Sequence, residues 1–125
     1  MISEKIKELE ALTSYLSDKD INIIIKAIRF SELAHKDQLR KSGDPFIIHP
    51  IEVAKILTSI KLDASAIAAG LLHDTVEDTK ISFEEINNTF GNQISELVQG
   101  LTKISKFALK MNKQKLGENY RKLIL

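Results

Sequence analysis

The chain has 125 residues, 18 basic against 17 acidic side chains and a mean hydropathy of −0.09, so it is one domain's worth of sequence with enough apolar content to build a core without staples. It has no cysteine, which excludes a thiolate metal centre, a disulfide framework and a cysteine nucleophile, and which fits a reducing compartment. The near-neutral charge gives no general case for DNA or RNA, no apolar run approaches a bilayer span, and Met1-Ile2-Ser3-Glu4-Lys5 lacks the basic-then-apolar order of a signal peptide; the expectation is a cytoplasmic protein with neither nucleic acid nor membrane as partner.

Helical spacing runs almost throughout, with no convincing alternating strand. Ile6, Leu9, Leu12 and Leu16 form a first stripe. After the break at Ser17-Asp18-Lys19-Asp20, a second stripe follows in Ile21, Ile24, Ile25 and Ile28. The connector Lys41-Ser42-Gly43-Asp44-Pro45 is turn chemistry and sets Arg40 and Lys41 just before a change of direction. Pro50 suits the first turn of a third helix carrying Val53, Ala54, Ile56 and Leu57, which puts His49 at the junction of loop and helix. Asp63 is placed to cap the next helix, which contains the apolar stretch Ala64 to Leu72.

That stretch runs directly into His73-Asp74-Thr75-Val76-Glu77-Asp78, one imidazole and three carboxylates within six residues. On a helix Glu77 lies one turn beyond His73 and Asp78 one turn beyond Asp74, so the four groups share one broad face. The plain interpretation is a solvated acidic rim at a helix end. The alternative is a divalent-cation site, because ionisable groups seldom follow so closely on a buried run unless paired or ligated, and clustered carboxylates repel one another until a cation intervenes.

Further on, Ser82-Phe83-Glu84-Glu85 has the capping-box form, and Gly91 stands where that helix should stop. A short helix with Ile94, Leu97 and Val98 is expected to end near Gly100. From Lys103 to Leu125 the bases Lys103, Lys106, Lys110, Lys113, Lys115, Arg121 and Lys122 face Glu118 alone: ordinarily a solvated face, otherwise a rim that attracts an anionic ligand such as a phosphorylated nucleotide. The fold class expected is an all-α bundle with short loops.

In this order, Arg40-Lys41-Ser42-Gly43-Asp44-Pro45, His49-Pro50, His73-Asp74, Glu77-Asp78, Gly91 and Gly100-Leu101-Thr102-Lys103 resemble the N-terminal hydrolase domain of the RelA/SpoT family, a metal-dependent HD-domain helical bundle that degrades the alarmone (p)ppGpp. The resemblance runs from about Ala27 to the end of the chain. It implies that His49, His73 and Asp74 bind Mn²⁺, a mixed nitrogen and oxygen set that other divalent cations would also accept. It implies that Glu77 and Asp78 act in the hydrolytic step, orienting or deprotonating water. Arg40, Lys41 and Ser42 match the family loop that packs on the guanine end of the nucleotide, and Lys103 falls in a segment near the bound nucleotide.

The reaction implied is metal-assisted hydrolysis of the 3′-pyrophosphate, releasing pyrophosphate and GDP or GTP, without a covalent intermediate. The division expected is a packing helix over residues 1–18 and a partial HD hydrolase domain over 19–125, incomplete at its C-terminal end because the family's hydrolase domain continues to a later aspartate ligand. Beside an active hydrolase, two alternatives stand. One is an inactive or split remnant that binds metal or nucleotide, or that is completed by a second copy or a separately encoded fragment through the apolar Leu123-Ile124-Leu125 end. The other is a helical interaction module without metal.

Overall fold

The computed structural model describes residues 2–112, with side-chain surroundings through residue 104. Among the described residues there are six helices and no strand, only an isolated bridge between Leu39 and Pro45. The helices are α1 (Ile2–Leu12), α2 (Asp18–Ala34), α3 (Ile48–Ser59), α4 (Ala64–Asp78), α5 (Phe83–Phe90) and α6 (Asn92–Asn112). The stretch 113–125, including Lys113, Lys115, Arg121, Lys122 and Leu123-Ile124-Leu125, lies outside the described residues, as do the side chains of Lys106 and Lys110.

The helix starts follow local chemistry. Ser17, Asp63 and Ser82 are N-caps in extended backbone, and their side-chain oxygens accept from the amides of Asp20, Ala66 and Glu85 at 3.2, 2.9 and 3.2 Å. α5 ends at Gly91, whose φ of +96° is a conformation that side chains other than glycine seldom adopt. His49 and Pro50 both lie in the first turn of α3, where the missing proline amide costs no helical bond.

α4 is the centre of the bundle. It packs against α2, α3 and α6, while α1 lies on α3 and α5 on α6. A helix touched on several sides has no solvent face, and accordingly Ala64 and every residue from Ile67 to Thr75 are buried. Small side chains make this possible. A Cβ on Gly70 would lie 2.6 Å from Leu57 Cδ1 and 3.6 Å from Val53 Cγ1, so α3 sits against bare α4 backbone at that point. The surrounding core comprises Leu9 from α1, Ile24, Ala27 and Ile28 from α2, Ile51 and Ala54 from α3, Ile86 from α5, and Ile94 and Val98 from α6. Leu9 thus ties α1 into the same core, and Lys5 pairs with Glu52 and Lys55 with Glu8 across the α1–α3 contact.

Two expectations of extent are corrected. α6 continues through Gly100 to Asn112, because Ile94, Val98 and Leu101 keep helical spacing toward the core and Thr102 Oγ1 returns a 3.0 Å hydrogen bond to the Val98 carbonyl; one helical glycine costs only about 1 kcal/mol against that packing. The first stripe breaks too: α1 ends at Leu12, and Leu16 reaches the core from the turn that follows. Ile56 of the third stripe is exposed, with Ile51 taking the inward position.

Because Asp63 caps the helix that carries the buried His-Asp pair, Asp63→Ala should cost about 1 kcal/mol of global stability, measured by urea unfolding with an unchanged m-value. An m-value that fell with it would mean instead that α4 frays in the folded state.

Candidate metal centre

The α4 helix delivers His73 and Asp74 from the interior, and α3 delivers His49 from its first turn. His73 is 2% and Asp74 5% exposed, so neither can rely on bulk water. His73 Nδ1 lies 2.7 Å from the carbonyl oxygen of Gly70. A carbonyl only accepts, so Nδ1 carries a proton, and in the neutral imidazole Nε2 holds the lone pair. That lone pair lies 3.1 Å from Asp74 Oδ1, and Asp74 Oδ2 lies 3.6 Å from His49 Nε2.

In that state His73 Nε2 and the Asp74 carboxylate face each other as acceptors. His73 Nε2 and Asp74 Oδ2 are buried and have no hydrogen-bond partner. A buried acceptor without a donor costs about 1–3 kcal/mol, and more for a charged group. A divalent cation accepts all of these lone pairs at once, and the donor set of two imidazoles and a carboxylate suits manganese, zinc or iron. The ligating atoms of His49, His73 and Asp74 lie within 4.8 Å of one another, so these residues could hold such an ion; the Gly70 carbonyl supplies the orienting hydrogen bond that metal-bound histidines commonly have.

The electrostatics have the same origin. Burial, with the charge of Arg40 and then the His73 and His35 rings, lowers His49 to about 4, which keeps it neutral and able to ligate. Burial raises the Asp74 carboxyl, and the neighbouring Asp78 adds to this, while His73, His35 and Arg40 oppose it. Asp74, Glu77 and Asp78 form a second group of oxygens within 4.8 Å of one another, with Glu77 and Asp78 exposed at the end of α4. The structure therefore gathers His49, His73, Asp74, Glu77 and Asp78 into one continuous site.

The basic turn stands beside this site. Arg40 and Asp44 close it through an Arg40 amide to Asp44 carbonyl bond of 2.9 Å, and Gly43, at φ +90°, returns its amide to the Arg40 carbonyl at 2.8 Å. Arg40 is near enough for its charge to act on His49 and Asp74. Ser42 Oγ is engaged within the turn, 3.2 Å from Asp44 Oδ2, and Lys41 is exposed. Lys103 is exposed on α6 and has no hydrogen bond or ion pair to the cluster among the described residues.

Sequence reasoning overlooked His35, the remaining histidine of three. It is buried at the C-cap of α2, stacked on Phe46 with centroids 4.4 Å apart and ring planes 22° apart, and paired with Gln38. Its only signal in the sequence was its place shortly before the basic turn.

Two outcomes are expected for the chelator-treated chain. A histidine held at about 4 when folded and near 6.5 when unfolded takes its proton first in the unfolded state, so stability falls as pH drops from about 6.5 toward about 4, by at most about 3 kcal/mol. Asp74, raised on folding, binds its proton more readily when folded and offsets part of that loss at the acid end. His49→Gln should flatten the slope in denaturant melts across this window; an unaltered slope would remove His49 as its source. Asp74→Asn should raise metal-free stability by about 1 kcal/mol, since it removes a buried unpaired charge. The same variant should abolish the metal-induced gain, about 2.7 kcal/mol for the parent at a metal concentration 100 times Kd.

Comparison with known proteins shows the family. A family model described as HD domain matches residues 27–125. A GTP pyrophosphokinase of Myxococcus xanthus is 46% identical over 117 residues, covering 91% of this chain and 16% of that protein. A putative chloroplastic GTP diphosphokinase of Oryza sativa subsp. japonica is 50% identical over 101 residues, covering 80% of the chain and 11% of that protein. A guanosine-3′,5′-bis(diphosphate) 3′-pyrophosphohydrolase of Aquifex aeolicus (strain VF5) is 44% identical over 119 residues, covering 95% of the chain and 16% of that protein. The chain therefore spans between 11% and 16% of the length of these relatives. With a helical core built around a buried His-Asp pair and a family match over most of its length, this chain belongs to the HD-domain family, among the relatives of the RelA/SpoT proteins.

Proposed function

We propose that this chain is a divalent-cation-dependent phosphohydrolase domain acting on (p)ppGpp, with manganese as the working cation, releasing pyrophosphate from the 3′ position and leaving GDP or GTP. The observation that carries the proposal is a buried convergence: His73 Nε2, turned away from the Gly70 hydrogen bond, meets the Asp74 carboxylate with His49 Nε2 3.6 Å from Asp74 Oδ2, and neither His73 Nε2 nor Asp74 Oδ2 has a hydrogen-bond partner. The name of the Aquifex relative, a guanosine-3′,5′-bis(diphosphate) 3′-pyrophosphohydrolase, supports this reaction.

In this reading His49, His73 and Asp74 would hold the cation. A cation held there would supply positive charge against the phosphoryl oxygens and lower the pKa of a nearby water. Glu77 and Asp78, at the solvent end of the same helix, orient that water and take its proton. Arg40 offers a planar cation to stack on guanine while its field reaches the cluster; Lys41, Ser42 and, from α6, Lys103 complete the anionic ligand's surroundings.

The test is pyrophosphate release from ppGpp by the purified chain with Mn²⁺, with chelator as control. Glu77→Gln and Asp78→Asn are expected to keep the metal-induced stabilisation, and the variant that removes the base should lose at least about 100-fold in turnover. Parent-like turnover in both would remove the catalytic role from the pair. Metal-induced stabilisation without any turnover by the parent would favour the alternative of a binding domain that needs a further segment or partner.

A further inference from the structure

His35 and Gln38 have no part in the reading above, yet they link its two halves. His35 is 3% exposed, and its Nδ1 lies 2.9 Å from Gln38 Oε1. Gln38 Nε2 in turn reaches the backbone carbonyl of Asp78 at 3.4 Å. That carbonyl can only accept, so the amide nitrogen of Gln38 faces it and the amide oxygen faces the imidazole. The His35 proton is thereby assigned to Nδ1. The backbone of Gln38 completes the link, since its carbonyl accepts from the Phe46 amide at 2.9 Å and Phe46 stacks on the His35 ring.

Arg40 to Asp44 is thus an exposed turn whose two stems, at Gln38 and Phe46, are clamped to a buried ring, and the same clamp holds the last turn of α4. We propose that His35 and Gln38 are a positioning pair that fixes the distance between the basic turn and the Glu77-Asp78 end of α4, so that a ligand held by the turn presents its phosphates to those carboxylates in one register. The proposal rests on the hydrolytic reading for its consequence in turnover, and on the hydrogen bonds alone for its consequence in structure.

Gln38→Met keeps the length and apolar stem of the side chain but loses both hydrogen bonds, and Gln38→Glu keeps the acceptor toward His35 while setting an oxygen against the Asp78 carbonyl. In Mn²⁺-dependent ppGpp hydrolysis, both are expected to lower kcat by at least about tenfold with a smaller change in KM, since misplacement by an ångström can cost about 100-fold. The metal-induced stabilisation should stay at the parent value, because neither residue ligates. A merely structural pair would lower the melting temperature and leave kcat and KM as they were, and that result would overturn the proposal. If the parent chain hydrolyses nothing, the hydrolytic reading fails instead. The positioning pair is then decided by amide exchange: faster exchange at Phe46 by about tenfold in Gln38→Met, the equivalent of about 1.4 kcal/mol, supports the clamp, and unchanged exchange overturns it.

Discussion

The hydrogen bond from His73 Nδ1 to the Gly70 carbonyl is the constraint from which the rest of the site follows. It removes the choice of tautomer and leaves the other ring nitrogen as a bare acceptor inside the bundle. That lone pair lies beside the Asp74 carboxylate, and it has no hydrogen-bond partner. The local structure is therefore poorly satisfied by protein groups and well satisfied by a cation, which is a physical statement about the residues before it is one about a family. α3 crosses α4 at this glycine, and Gly70 and His73 are both buried.

Such a site is held against its own electrostatics. Burial works against a charged His49 and a charged Asp74, and the core of α4 has to carry the cost. It does so with a helix buried over most of its length and enclosed by α2, α3 and α6, whose apolar contacts are favourable at about 25 cal/mol per Å² removed from water. Stability and ligation are thus in tension at Asp74, while at Glu77 and Asp78, which are exposed, they are not. Along one helix the site changes from the buried His73 and Asp74 to the exposed Glu77 and Asp78.

The turn at residues 40–44 shows how a loop acquires a defined place without regular structure. Its geometry comes from short-range hydrogen bonds and a glycine at positive φ, and its attachment comes from the buried His35 ring, which pairs with Gln38 on one side and stacks on the half-buried Phe46 on the other. Flexibility of the exposed tip is compatible with a fixed base. Arg40 belongs to the base and its field reaches His49, whereas Lys41 and Ser42 belong to the tip.

What the sequence by itself determined is local. The caps at Asp63 and Ser82 and the stop at Gly91 are contacts between near neighbours, and the helical class follows from spacing; the grouping of His73, Asp74, Glu77 and Asp78 on one helix follows from its period. The tertiary structure alone decided which of those four are buried, that His49 comes within 3.6 Å of Asp74 from another helix, that α6 runs on past Gly100, and that His35 belongs beside the site. The physical reason is that burial, tautomer and pKa depend on what packs from outside the segment. A glycine reads as a stop until a core face beyond it is known, and a histidine ahead of a loop reads as surface until Phe46 covers its ring.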